Sequence, residues 1–272
     1  MKPFLPISFA SLSAVATASS LLLAAPAQAF SFTTNYTDTE DGDKGDITLN
    51  SIEMEDGRVI DEFSLIHDSA IVENDEYTGG NSGAASTDKG DNVDMGTSIE
   101  DPTDEELVGN LNNQNLNNII DTEDNGSFQI DLFFDNPVDN ILMWERGMNS
   151  ALAVQALNDN EELTGEKVKV DFRELGNDYS AGYSINTQEI GGSQKVGSFG
   201  LTMADLGVED KSINGFRFFS ESSFNGPDWK IAGTNANRNT TDASVDVPEP
   251  SSLLGLLGVG SLGLLGWRRR QS

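Results

Sequence analysis

Cysteine is absent from the 272 residues, so neither disulfides nor thiolate chemistry contribute. Histidine occurs once, at 67, which excludes zinc sites built from several His or Cys ligands. A Ser-His-Asp triad would have to run through His67, yet no Gly-x-Ser-x-Gly elbow accompanies it. Between Ile66 and Asp68, His67 reads as a strand-end residue. Positive charge is scarce as well, with 16 basic against 45 acidic residues and a net charge of −29. Nucleic acid and anionic lipid surfaces are poor partners for such a field. Calcium, cationic surfaces and neutral glycans are allowed ones. Long apolar runs are confined to the two ends.

At the amino end, Lys2 supplies a short positive region and Ile7 to Ala25 is apolar with many small residues. Ala27-Gln28-Ala29 then offers the small-x-small pattern that signal peptidase accepts, making residues 1–29 a signal peptide and Phe30 the expected first residue after cleavage. A retained first membrane span is the alternative. At the carboxyl end, Val247-Pro248-Glu249-Pro250 leads into an uncharged Leu/Gly-rich run from Ser251 to Trp267, closed by Arg268, Arg269 and Arg270. As a helix that run would measure roughly 25 Å, near the short limit for a bilayer core of about 30 Å. Its five glycines weaken it as a helix in water. Three arginines at one end favour the cytoplasmic side and act as a membrane stop. A buried C-terminal core helix is the competing reading.

The order of parts from 247 to 270 resembles the PEP-CTERM sorting domain, a Pro-Glu-Pro triplet followed by a hydrophobic helix and a basic cluster. In that family the membrane protease-transpeptidase exosortase is thought to recognise the triplet and release or transfer the protein. The hosts are Gram-negative bacteria that typically make exopolysaccharide. The resemblance therefore implies export, transient anchoring in the inner membrane and final placement at the cell surface or outside the cell. The prolines fit the role, because they fix φ and hold their predecessors extended, so the triplet stands clear of the helix. A Pro-x-Pro preceding an ordinary anchor remains the alternative.

Residues 30–247 contain all but one of the acids (Glu249) and all but four of the bases (Lys2, Arg268, Arg269 and Arg270), hence 44 negative against 12 positive side chains. Their length suffices for one domain of sandwich or barrel size. Phe128, Ile130, Leu132 and Phe134 alternate with Gln129 and Asp131, and Val168, Val170 and Phe172 alternate with polar residues. Ile47 and Leu49 begin another strand. Val59–Ile66, Ile141–Trp144, Ala151–Leu157 and Ile213–Phe219 read as further strands, the first two more fully buried. Asn125-Gly126 and Asp56-Gly57 favour tight hairpins through positive φ. Together these signals predict a mainly β fold, an antiparallel β-sandwich of the jelly-roll kind over residues 30–232, with a linker at 233–246. One short helix is expected after Asp101-Pro102-Thr103, where Glu106 stands at capping-box spacing and Leu107, Val108 and Leu111 share a face. The asparagines from 112 to 118 favour turns that end it. Asp38–Asp46 and Tyr77–Met95 read as loops, the second long enough to be mobile or organised by a ligand.

Three segments, Thr87–Asp91, Trp144–Ser150 and Asn225–Trp229, resemble a cyanobacterial family of exosortase-dependent surface proteins. That likeness implies location and class and carries no catalytic residues. Candidate chemistry is sparse. Asp121-x-Glu123-x-Asn125-Gly126 has the first half of an EF-hand loop, but Leu132 occupies the twelfth position, so a simple hairpin turn is the favoured reading. Asp88, Asp91 and Asp94 form a more plausible calcium loop, as do Asp38, Asp41, Asp43 and Asp46, against the plainer reading of solvated acidic loops. No cofactor is required, calcium being the allowed one. Trp229, after the Gly226-Pro227-Asp228 turn, is the candidate glycan contact. The expected function is that of an exported, non-enzymatic surface or matrix protein with signal peptidase, exosortase, the inner membrane and exopolysaccharide as partners. A secreted glycan-binding module, calcium-dependent or not, is the second reading and an extracellular hydrolase the third.

Overall fold

A computed structural model of the chain describes residues 30–79, 83–209 and 212–235. The expected signal peptide, sorting segment and nearly all of the linker lie outside these residues. No helix among the described residues is long and apolar enough to cross a membrane.

In chain order the strands are β1 (Phe32–Asp38), β2 (Ile47–Met54), β3 (Val59–Ile60), β4 (Ile66–Asn74) and β5 (Ala85–Lys89). Helix α1 (Asp104–Leu111) follows, then β6 (Asn118–Thr122), β7 (Phe128–Val138), β8 (Asn140–Arg146), β9 (Ala151–Leu157) and β10 (Leu163–Asp171). The last four are β11 (Ser180–Ile185), β12 (Gln194–Thr202), β13 (Ile213–Ser220) and β14 (Trp229–Thr234). They form a five-stranded sheet, β10-β9-β13-β7-β4, a six-stranded sheet, β11-β12-β8-β14-β6-β5, and a three-stranded sheet, β1-β2-β3. Every pairing is antiparallel.

The two larger sheets share one core, as the sandwich expectation requires. Phe128, Ile130, Leu132 and Phe134 of β7 all point into it, opposite Ile141 and Met143 of β8 and Trp229 and Ile231 of β14. The three-stranded sheet adds a layer that the sequence pattern did not announce. Phe32, Ile47, Leu49, Ile52 and Ile60 cover the outer face of the six-stranded sheet, against Leu142, Trp144, Tyr183 and Val196. Strand β8 is consequently buried on both faces, which is why its sequence is a continuous apolar run rather than an alternation. Trp144 belongs to this second core, donating its indole N–H to Thr34 Oγ1 at 3.0 Å and packing edge-on against Phe32.

Local expectations fare unevenly. Helix α1 starts as expected: Thr103 is the N-cap, its side chain accepting from Glu106 N while Glu106 accepts from Thr103 N at 2.8 Å. The Asp56-Gly57 turn joins β2 to β3, with Gly57 at φ 83°. Asn125-Gly126 is no hairpin, because β6 and β7 lie in different sheets. Gly126 does not have positive φ, and glycine is required there by close approach, since a Cβ would sit 1.9 Å from the Gly83 carbonyl oxygen. The run Val59–Ile66 is also not one buried strand: Val59 is 58% exposed, Ile60 ends β3, and β4 begins at Ile66. Phe172 leaves β10 for a short 3-10 turn while staying buried. The supposed loop Tyr77–Met95 contains β5, and β14 runs two residues past the expected domain boundary at 232.

Candidate functional site

One end of the six-stranded sheet gathers acids on its outer face. The register sets Ser86 of β5 opposite Asp121 of β6. Trp229 pairs with Ile120 on one side and with Glu145 on the other, so Asp228, one residue before β14, falls beside both Asp121 and Arg146. Backbone geometry at Asn225-Gly226 aims this segment. Both residues have positive φ, and a Cβ on Gly226 would meet the Thr122 carbonyl oxygen at 2.2 Å.

Residues 186–193, which connect β11 to β12, roof the row. Asp88 Oδ1 accepts from Gln188 N at 3.2 Å and Glu189 N at 3.4 Å, and also from Lys89 N and Ser98 Oγ. At the other end Arg146 holds the loop, donating through Nη2 to the Ile190 and Gly192 carbonyls, both at 3.2 Å. Its Nη1 reaches Asp228 Oδ2 at 3.1 Å in a largely buried ion pair. Ser86 Oγ donates to Glu189 Oε2 at 3.2 Å.

Oxygens of Asp88, Asp121 and Glu189 thereby come within 4.8 Å of one another, and those of Glu100, Glu123 and Glu189 do the same. Asp88 and Asp121 are buried, while Glu189 is partly exposed. Asp121 is in hydrogen-bond contact with Asp228 and Glu189, and Glu189 with Glu100. Such contacts between carboxyl groups require either a shared proton or a cation. Burial, then the charge of Asp228, pushes Asp121 well above the carboxylate range. Burial and the charge of Asp121 push Glu189 to about 9. Asp228 rises only to about 6: burial is the main cause, and Arg146 opposes it. Burial also raises Asp88, and burial together with Glu100 raises Glu123.

The calcium candidates from the sequence are thus divided. Asp88 is in the cluster, but Asp91 is exposed and bound to Lys44 at 2.6 Å, and Asp94 is exposed. Asp46, from the other acidic loop, accepts from Asn115 Nδ2 at 2.5 Å. Asp121 and Glu123, discounted as part of a turn, each contribute to one of the two acidic triads. Glu100 and Glu189 had no signal in the sequence, because only the register and the roof loop bring them near. Trp229, the candidate glycan contact, does not face a surface. It is fully buried, with Phe218 and Phe128 stacked on it at centroid distances of 5.2 and 5.9 Å. It closes the main core because β14 lies between β8 and β6 rather than at a surface. His67 is exposed on β4 with Nδ1 2.9 Å from the Phe133 carbonyl oxygen.

Residues 246–270 match the PEP-CTERM protein-sorting motif. The motif indicates an exosortase-targeted, secreted surface protein and contains the Pro248-Glu249-Pro250 triplet. No curated protein and no solved structure matches the chain.

Proposed function

We propose that the chain is an exported surface or matrix protein with a structural or adhesive, non-enzymatic role, held briefly in the inner membrane by its carboxyl-terminal segment and processed near Pro248-Glu249-Pro250. The observation that carries this reading is the sorting motif at 246–270. Two features of the folded body support it. Phe30, the expected first residue after signal-peptidase cleavage, is tied into the fold, its N–H and carbonyl pairing with Gly200 at 3.0 Å each. Its acids far outnumber its bases, which favours mutual repulsion and solubility outside the cell. Exopolysaccharide is the partner layer in this proposal, reached through the sheet surfaces and loops rather than through Trp229.

Intact mass of the protein from its native host, with and without active exosortase, tests the reading. The expected mass lacks residues 1–29 and the segment after the triplet, and the latter returns when exosortase is inactivated. A mass retaining Leu253–Arg270 in both hosts would make this an ordinary anchored protein.

A further inference from the structure

We infer that Asp88, Asp121 and Glu189 bind one calcium ion, which fastens residues 186–193 to the β5–β6 end of the six-stranded sheet. This site lies wholly within the folded body, so it stands or falls independently of the sorting tail.

Two observations carry it. First, three carboxylates from β5, β6 and the roof loop present oxygens within 4.8 Å of one another. That ceiling is about twice a Ca–O distance of 2.3–2.6 Å, the largest separation two ligands of one ion can have. Ligands around Mg²⁺, at 2.0–2.1 Å, would need to lie closer still. Second, Asp88 Oδ2 is buried and makes no hydrogen bond of normal length, and the Thr187 hydroxyl that faces this carboxylate is likewise unpaired, although Oδ1 accepts four donors. A buried carboxylate oxygen left bare is costly unless it meets a proton or a cation. No cationic side chain supplies the charge. The ion pairs among the described residues involve none of Asp88, Asp121, Glu189, Glu100 or Glu123. Arg146 is spent on Asp228 and two loop carbonyls, and Lys230 on Asn110 and Asn113. Glu100 and Glu123 flank the partly exposed side, where they add negative field along the approach. All-oxygen ligands and a partly exposed position that admits water suit calcium, which accepts six to eight ligands in flexible geometry.

The test uses the full-length chain stripped with EDTA and titrated with CaCl₂, with MgCl₂ in parallel, followed by calorimetry and thermal melting. Calcium is expected to bind one ion per chain, with a dissociation constant of roughly 10⁻⁶–10⁻³ M, and to raise Tm by several degrees more than magnesium does. Asp88→Asn and Asp121→Asn keep the side-chain shape while removing charge. Each should weaken calcium binding at least tenfold, yet melt no lower than the parent in EDTA because repulsion is relieved. Asp94→Asn should bind as the parent does. Absence of heat and of any Tm shift in the parent at about 10 mM calcium overturns the assignment. So does loss of the response in Asp94→Asn with its retention in Asp88→Asn, which would move the ion to the exposed loop.

Discussion

Glu145 shows how a single buried acid links stability to pH. Its Oε1 accepts from Ser150 Oγ at 2.6 Å, the N–H groups of Met148 and Asn149 also point to its carboxyl group, and Oε2 has no partner. Burial raises it from 4.5 to about 8, against the smaller opposing effects of Ser150, those N–H groups and Arg146. Its contribution to stability is therefore full below pH 4.5, declines through the window from 4.5 to about 8, and is gone above it. Glu145→Gln, neutral and of the same shape, should melt several degrees above the parent at pH 8.5 and show little difference at pH 4, measured by thermal denaturation at matched salt. Lys230 gives the opposite slope. Burial lowers it from 10.5 to about 7, so the unfolded chain binds the extra proton between those values and stability rises with pH there. Trp229 is a packing residue with an unpartnered indole N–H. Trp229→Ala should cost about 3–5 kcal/mol in urea unfolding. Trp229→Phe, which forfeits no hydrogen bond, should cost clearly less.

Among the elements, α1 was the most readable, since its start depends on three neighbouring residues and little else. Thr103→Ala removes the hydroxyl that accepts from Glu106 N and donates to Glu106 Oε2, leaving the Thr103 N–H bond to Glu106, and should destabilise the protein by about 1 kcal/mol, read from the urea midpoint. The asparagines around its end do more than terminate a helix. Asn110 donates to the carbonyls of Asp88, Thr97 and Ile119 and accepts from Thr97 N, tying α1 to β5 and β6. Strand β5 escaped notice because Ser86, Thr87 and Asp88 are polar yet buried, and a hydrophobic alternation is the signal a strand normally gives. The Asn125-Gly126 reading failed for a related reason. The dipeptide fits a hairpin, but the neighbour of β6 is β5 on one side and β14 on the other, never β7. Gly126→Ala should cost about 1–3 kcal/mol through overlap with the Gly83 carbonyl, despite its ordinary backbone conformation.

For the molecule as a whole, negative charge is the dominant electrostatic fact. With 44 acids against 12 bases in residues 30–247, self-repulsion opposes the compact state. Raising NaCl from about 10 mM to about 0.5 M should raise Tm by screening this repulsion. The gain should persist in Asp88→Asn, whereas the added effect of calcium should not. That contrast separates a diffuse ionic atmosphere from a bound ion.

The sequence by itself determined the sorting segment at 246–270, the strands with clear alternation, the helix cap, and the exclusion of thiol and multi-histidine chemistry. These are local properties: a processing enzyme meets the Pro-Glu-Pro peptide as a linear segment, and a period of two or a capping box is complete within a few residues. Only the tertiary structure decided which strands are neighbours, that a third sheet covers the outer face, and that Trp229 is interior. It alone joined Asp88, Asp121 and Glu189, since carboxylates so far apart along the chain meet through inter-strand register and a folded-over loop, neither of which short-range pattern encodes.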